Sequence, residues 1–368
     1  MHIESGHGEL ETARVRVRDT LRRFLRPRGL KPVRSILLYA EDPGRELVFH
    51  EGVGTVGRNR TTVDHSFQFN IASITKTFVS ALILQLVEEG RINLCDLAVE
   101  HLGHLEFLRL PELHILDGQP RAAEITVDHL LQHRSGLGDV FIDTALRFTA
   151  SVFLHRRRSF SPETIVERYF DYGLNRRPHF APGTGYHYSD LNYVLLGLLL
   201  EKVTGESLHE RIRRRILAPL DLTDTYFEYK ESPCGVHKRV DSYYGPLNMT
   251  RFINQSYEWS GGGLVSTTSD LARFMKALLS GDLYAKEATL ACMLDCTRNQ
   301  LDGSSYARGV FRFEIDGVGL FGHAGFYGSR LMASPESGTL LAIHVAQATP
   351  PFDLGVVLKT VLGILRSA

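Results

Sequence analysis

The sequence predicts a mixed α/β (α+β) fold in which the two ends of the chain together form one antiparallel sheet. Strand-like runs bounded by turn residues occur near the N-terminus and in the last third, and helical patterns dominate the middle. This order indicates a sheet flanked by N- and C-terminal helices, with an inserted all-helical domain. We therefore expect a sheet domain of residues 1–88 and 258–368, a helical domain of residues 89–257, and a site at their junction.

The N-terminal elements follow from local patterns. An amphipathic helix is expected over about Leu10 to Leu25, followed by the strands "RSILLYA" and "ELVFHEGVGTVG". The turn "DPGR" between the two strands predicts a hairpin. The next run has Ile74, Phe78 and Leu82 at helical spacing, and Gly90 is expected to end this helix in a left-handed conformation.

Helix-boundary signals define the middle and the end of the chain. Ser161 and Pro162 are an N-cap and a first helical residue, Ser207-x-x-Glu210 is a capping box, and Gly205 ends the helix before it. A helix "SDLARFMKALLSG" precedes the last strands, and the chain ends in the helix "DLGVVLKTVLGILRSA". The four strand-like runs between these helices are "YARGVFRFEI", "GVGLFGHAG", "SRLMASPESG" and "GTLLAIHVAQA".

Composition narrows the class of protein. The 368 residues are 43% hydrophobic, enough for a substantial core, and 42 basic residues balance 42 acidic ones. We therefore expect no nucleic-acid partner and no membrane partner. The first residues contain no apolar signal-peptide segment, which predicts a cytoplasmic location, and the oligomeric state is left open. Of the four cysteines, Cys292 and Cys296 are interpreted as buried thiols rather than as part of a metal site.

The stretch "NIASITKTFVSALILQL" places a serine and a lysine three residues apart at the start of an apolar helix. Residues three apart on a helix are surface neighbours, so Ser73 and Lys76 are expected to lie side by side. A serine becomes a good nucleophile when a base takes its proton, and a lysine is such a base when its surroundings lower its pKa. The alternative is that Ser73 caps the helix and Lys76 is an ordinary exposed residue of the first turn.

Two further motifs offer the other parts of a serine hydrolase site. Tyr188-Ser189-Asp190 lies in a Gly-rich loop before an apolar helix, where a tyrosine whose pKa is lowered by a lysine cation can relay protons. The alternative is that Asp190 only caps this helix. His323-Ala324-Gly325 lies on an apolar run, and its small residues allow a substrate to approach the backbone. Its alternative is a tight turn that carries a surface histidine.

Taken together and in this order, the three motifs resemble those of the penicillin-recognising serine hydrolases. The most similar branch contains class C β-lactamases, serine D,D-peptidases, D-aminopeptidases and related esterases. The resemblance runs from about Arg34 to the C-terminus and includes "ITVDHLLQHRSGL", "YSDLNYVLLGLLLEKVTGESL" and "GGGLVSTTSDLARF". It implies a β-lactamase/transpeptidase-like fold. In the first of these stretches, Gly136 is expected to end a helix in a left-handed cap.

The resemblance also implies a mechanism. Ser73 attacks an acyl carbonyl to form an acyl-enzyme, while Lys76 and Tyr188 move the protons. The backbone N–H groups of Ser73 and Phe326 form the oxyanion hole, and water releases the acyl group. No metal and no organic cofactor is required, and the partner is a small-molecule ester or amide. The implied substrate-binding residues are Asp190, His323, Ala324 and Gly325.

The sequence departs from the β-lactamase pattern at two positions. Asp190 stands where those enzymes have an asparagine that donates a hydrogen bond, which an ionised carboxylate cannot do. His323 replaces a lysine, which weakens a fixed positive charge for a substrate carboxylate. Both departures argue against efficient β-lactam hydrolysis and favour an esterase or amidase, including one selective for D-amino acids.

Three alternatives stay open from the sequence. The chain is a non-catalytic relative that binds a ligand or assembles with a partner, an acyltransferase that uses the same residues with another acceptor, or a weak β-lactamase. An α/β-hydrolase is disfavoured because the chain contains no Gly-x-Ser-x-Gly motif.

Overall fold

The computed structural model describes residues 2–236, 238–301 and 303–368. The α-helices, α1 to α14 in chain order, are His2–Arg23, Thr75–Glu88, Ala98–Leu102, Val127–Leu131, Ala145–Leu154, Pro162–Asp171, Asp190–Thr204, Leu208–Ile212, Met249–Phe252, Trp259–Gly262, Thr268–Leu279, Glu287–Leu294, Thr297–Leu301 and Leu354–Ser367. The strands, β1 to β14, are Ser35–Asp42, Leu47–Val56, Thr61–Thr62, Phe69–Asn70, Ile115–Leu116, Gln119–Pro120, Tyr226–Phe227, Tyr243–Tyr244, Leu247–Asn248, Leu264–Ser266, Phe311–Ile315, Val318–Gly325, Ser329–Ala333 and Leu340–Val345.

The main sheet joins the two ends of the chain, as the sequence predicts. Its seven strands are ordered β11-β12-β13-β14-β1-β2-β3, and every neighbouring pair is antiparallel. The junction between the N-terminal and C-terminal strands is the β1–β14 pair, in which Leu38 lies opposite Ile343. The mixed α/β class with an antiparallel sheet is therefore confirmed.

Helices cover both faces of this sheet, so its central strands are apolar on both sides. Ile36 and Leu38 point into a core shared with α1 and α14, whereas Leu37, between them, belongs to the larger core on the other face. Successive residues of a strand point to opposite faces, and all six residues of β14 are buried. The larger core holds α2, α7 and α11, and the stacked rings of Phe78 and Phe274 lie within it.

The local signals for turns and caps are largely confirmed. A 3₁₀ turn links β1 to β2, Ser161 caps α6, and Ser207 and Glu210 form their capping box. Gly90 and Gly205 both have positive φ directly after α2 and α7. No helix in the described part of the chain is long and apolar enough to cross a bilayer.

Two boundaries differ from the sequence prediction. Helix α1 begins at His2, whereas the sequence prediction placed its start near Leu10. The prediction relied on apolar residues at helical spacing, and the first turns of the helix lack that pattern. Helix α4 ends at Leu131, and His133 takes the left-handed conformation there, with φ 57°. Gly136 also has positive φ, but it lies further along the loop, where a Cβ atom would be 2.1 Å from the carbonyl oxygen of Phe180. The division into two domains stays a prediction.

Candidate active site

A cavity of about 580 Å³ lies where α2, α7 and the end of β12 meet. Ser73, Tyr188 and the strand end around Gly325 all line this cavity. Residues from all three predicted motifs therefore border one cavity, although they are separated by more than one hundred residues in the chain. The functional roles of these residues stay predictions.

Ser73 lies in a short 3₁₀ turn, Ala72–Ile74, that leads into α2. The preceding residue, Ala72, is buried and has φ 46°, a left-handed conformation that is costly for a residue with a Cβ atom. Gly325 at the end of β12 packs against this turn, and a Cβ atom there would be 2.2 Å from the carbonyl oxygen of Ile71. The glycine is thus needed for close packing of the strand against the turn that carries Ser73.

Lys76 is completely buried, and its ammonium group is surrounded by acceptors. Its Nζ atom donates to Ser73 Oγ at 3.1 Å, to the carbonyl oxygen of Gly261 at 2.8 Å and to Asp190 Oδ1. A lysine ammonium has three protons to donate, and these contacts use all three. The structure therefore holds Lys76 buried beside Ser73, which excludes the alternative of an exposed residue.

Tyr188 lines the cavity beside Ser73, and its ring lies 5.1 Å from Lys76 Nζ. The expected lowering of the Tyr188 pKa by the lysine cation is wrong. Burial, followed by the negative charge of Asp190, raises the pKa of Tyr188 well above 10. The neighbouring carboxylate and the loss of water favour the neutral phenol, so Tyr188 holds its proton at neutral pH.

Asp190 is the first residue of α7, and its carboxylate pairs with Lys76 instead of capping the helix. Its own backbone N–H donates to Asp139 Oδ2 at 2.5 Å. Burial, and then the charge of Asp190, raise the pKa of Asp139 to about 8. This contact makes Asp190 the partner that holds Lys76 in place.

His323 lies within β12 and is almost fully buried, so the alternative of a surface histidine is wrong. Its Nδ1 atom is 2.8 Å from the carbonyl oxygen of Ala324, which can only accept a proton. Nε2 is thus the free acceptor and faces the hydroxyl of Tyr306 at 3.4 Å. Burial and the charge of Lys76 lower the pKa of His323 to about 3, so the residue is neutral.

Glu258 also borders the cavity, and sequence reasoning missed it. Tyr327 donates a hydrogen bond to its Oε1 atom at 2.9 Å, and Glu258 forms no ion pair among the described residues. Burial, followed by the charge of Asp190, raises its pKa to about 8. No local motif marks Glu258, because it reaches the cavity only through the turn before α10.

Tyr193 was also missed, although a local signal exists for it. It lies three residues after Asp190 on α7, so both point to the same face, and Lys76 Nζ is 5.5 Å from its ring. Its hydroxyl contacts Ser80 Oγ at 2.9 Å and Tyr306 Oη at 3.1 Å. This buried network supports Lys76 from behind.

The remaining walls of the cavity are mainly apolar. Phe326 lies in the turn between β12 and β13 and is half exposed, and its backbone role as an oxyanion donor stays a prediction. The apolar residues opposite the strand end include Phe141, Phe148, Val152, Ile253 and Tyr257.

Comparison with known proteins gives the family. The model of the Beta-lactamase family matches residues 33–361. The chain belongs to the beta-lactamase family. The resemblance carried by the three motifs is thus confirmed.

Relatives of this beta-lactamase family member include proteins of different lengths. Protein flp of Staphylococcus aureus (strain COL) is 26% identical over 250 residues, covering 66% of this chain and 45% of that protein. The chain therefore spans less than half the length of this curated relative.

Solved structures similar to this family member match it nearly end to end. A D-stereospecific amidohydrolase from Streptomyces sp. is 26% identical, with a TM-score of 0.75, and the match covers 93% of this chain and 97% of that chain. The D-amino acid amidase from Ochrobactrum anthropi SV3, in complex with L-phenylalanine amide, is 24% identical with a TM-score of 0.77, covering 97% and 99%. The latter likeness shows the shared fold.

Proposed function

We propose that this protein is a serine hydrolase that cleaves a small ester or amide through an acyl-enzyme on Ser73. The observation that supports this most directly is the contact of Lys76 Nζ with Ser73 Oγ at 3.1 Å beside a cavity. A buried ammonium group that donates to a serine oxygen stabilises the negative charge that develops there during attack.

The proton route follows from the resting contacts. Lys76 Nζ contacts the Asp190 carboxylate as well as Ser73 Oγ, so we infer that its role is to stabilise the serine oxygen and that another group takes the serine proton. We infer that Ser73 passes its proton to Tyr188 Oη as it attacks, while Tyr188 passes its own proton to the leaving group. The raised pKa of Tyr188 disfavours a free phenolate, so the two transfers are concerted. Water then attacks the acyl-enzyme, and the same route runs in reverse.

The cavity favours an acyl group with an apolar or aromatic side chain, because aromatic and aliphatic residues form most of the wall opposite β12. One similar structure is a D-stereospecific amidohydrolase, and another is a D-amino acid amidase. These likenesses support an amide of a D-amino acid as the substrate. Efficient β-lactam hydrolysis is not proposed, because Asp190 is engaged by Lys76 and His323 is neutral. The absence of nucleic-acid and membrane partners and the cytoplasmic location stay predictions of the sequence.

Glu258 offers an acidic group for a substrate amine, whereas Asp190 does not. Asp190 is paired with Lys76, whereas Glu258 borders the cavity without an ion-pair partner among the described residues. A substrate α-ammonium that reaches Glu258 would stabilise its ionised form. Selectivity for a free amine, if the enzyme shows it, should therefore depend on Glu258.

The test is active-site labelling with a fluorophosphonate probe, together with hydrolysis of short p-nitrophenyl esters and D-phenylalanine amide. Ser73→Ala should abolish labelling and turnover, because it removes the nucleophile while leaving the cavity intact. Ser337→Ala, at an exposed serine far along the chain, is the matched control and should behave like the unmodified protein. Appreciable turnover by a folded Ser73→Ala protein overturns the proposal. If Ser73 is unreactive in the unmodified protein, a non-catalytic relative is favoured instead.

A further inference from the structure

Three metal-ligand side chains converge next to the loop that carries Tyr188 but take no part in the acyl-transfer scheme. They are Asp143, His179 and His187. Asp143 Oδ2 is 2.9 Å from His179 Nε2 and 3.2 Å from His187 Nε2. The two imidazole rings are stacked, with centroids 3.4 Å apart and planes inclined by 22°. One nitrogen from each ring and one carboxylate oxygen lie within 4.8 Å of one another.

These distances suit a small divalent metal ion. Zinc binds histidine nitrogen and carboxylate oxygen at about 2.0–2.2 Å, so two ligand atoms of a tetrahedral ion are about 3.4 Å apart. The N–O separations of 2.9 and 3.2 Å lie within about half an ångström of that value. The stacked rings must also turn out of parallel so that both nitrogens point at the ion. A set of two imidazoles and one carboxylate favours zinc and similar first-row ions. Magnesium and calcium favour sets made of oxygen atoms alone.

The hydrogen-bond pattern gives a second reason. Asp143 Oδ2 accepts from both histidines and also from the backbone N–H of Asp139, at 2.8 Å. The carboxylate oxygen can only accept, so without an ion both rings point an Nε2–H group at this one atom. A divalent ion replaces both protons and binds two neutral rings, and the Asp139 N–H then orients the ligating carboxylate from behind.

The three side chains are accessible, which an exchangeable ion requires. The exposed fraction is 37% for His179 and 19% for each of the other two side chains. Water can therefore complete the coordination. His187 directly precedes Tyr188, and Asp139 accepts a hydrogen bond from the backbone of Asp190. An ion here would therefore link residues 139–143 to residues 179–190.

We propose that Asp143, His179 and His187 form a binding site for a divalent ion of the zinc type, with an open coordination position. This site is distinct from the acyl-transfer machinery, which requires no metal. Its role is to hold residues 139–143 against residues 179–190 and so to stiffen the loop that carries Tyr188. The proposal does not depend on the identity of the substrate or on the proposed hydrolase activity.

The test uses the full chain after treatment with a chelator. Titration with Co²⁺ should give visible d–d bands typical of nitrogen and oxygen ligands, and calorimetric titration with Zn²⁺ should show one saturable site. Zn²⁺ should also raise the melting temperature, because an ion that binds the folded state stabilises it.

Variants separate this site from adventitious binding. His179→Ala should weaken Zn²⁺ binding at least about tenfold and abolish the Co²⁺ bands. His104→Ala, at an exposed histidine outside the cluster, should change neither. Asp143→Asn should act like His179→Ala, but it also alters the contact with Asp139, so His179→Ala is the decisive variant. The proposal is overturned if the unmodified chain takes up neither ion saturably, if His179→Ala binds as tightly, or if the Co²⁺ spectrum shows only thiolate bands.

Discussion

Replacing Glu258 with glutamine tests the electrostatics of the cavity directly. The carboxyl of Glu258 is desolvated and lies near the negative charge of Asp190, and its pKa is raised to about 8. Glutamine has the same shape and keeps an oxygen that can accept the hydrogen bond from Tyr327. The variant therefore removes the ionisation and leaves the packing nearly unchanged.

The size of the effect follows from the difference in proton affinity. One pKa unit corresponds to about 1.4 kcal/mol. With a pKa of about 8 instead of 4.5, ionisation of Glu258 in the folded state lowers the free energy of unfolding by at most about 5 kcal/mol. Water in the cavity screens part of this penalty, and we expect about 2 kcal/mol.

The sign of the pH dependence is fixed. Below pH 4.5, Glu258 is protonated in both the folded and the unfolded state, so it does not change the free energy of unfolding. As the pH rises towards about 8, the unfolded chain releases this proton while the folded protein retains it, so the free energy of unfolding falls. The Glu258→Gln variant has no carboxyl at this position, so its free energy of unfolding does not show this decrease. The free energy of unfolding of the variant, minus that of the unmodified protein, should grow by about 2 kcal/mol between about pH 5 and pH 8.

Urea unfolding at a series of pH values, followed by circular dichroism, measures this difference. Glu314→Gln is the matched control, since Glu314 is exposed on β11, and its difference from the unmodified protein should not vary with pH. A difference for Glu258→Gln that is flat across this range, or that shrinks as the pH rises, would refute the assignment of Glu258 as a desolvated carboxyl.

Three further predictions concern the reacting groups and their support. Lys76→Ala and Tyr188→Phe should each lower the acylation rate steeply, and stopped-flow measurement of the double variant should show a loss far below the sum, since both residues act on one serine hydroxyl, Lys76 on its oxygen and Tyr188 on its proton; additive losses would mean separate steps. Asp190→Asn removes the counter-ion of a buried lysine, which should lower the free energy of unfolding by about 3 kcal/mol and slow free-amine and N-acetylated substrates by the same factor; a selective loss for free amines would mean that Asp190 binds the amine. Gly325→Ala places a Cβ atom 2.2 Å from a carbonyl oxygen of the turn that carries Ser73, so kcat/KM should fall at least about tenfold and stability by about 1–3 kcal/mol. Gly319→Ala on the same strand, where a Cβ atom meets nothing within 4 Å, is its control, and equal effects would contradict the steric account.

The sequence by itself determined the features that depend on near neighbours in the chain. The spacing of Ser73 and Lys76, the caps at Ser161 and Ser207, and the alternation of the strands are set within one or two turns of backbone. The family resemblance placed the three motifs on one fold, and the antiparallel sheet of the two chain ends follows from the same patterns.

The tertiary structure decided the electrostatics, because burial and charge contacts join residues that are far apart in sequence. Lys76 meets the carboxylate of Asp190 and the carbonyl of Gly261, and Glu258 reaches the cavity without any motif of its own. The prediction of a lowered Tyr188 pKa was wrong because the sequence shows a nearby cation but not the loss of water around the phenol, and desolvation outweighs the cation there. For the same reason only the folded chain could bring His179 and His187 onto one oxygen of Asp143, since that convergence is made by loop packing rather than by any spacing that a motif records.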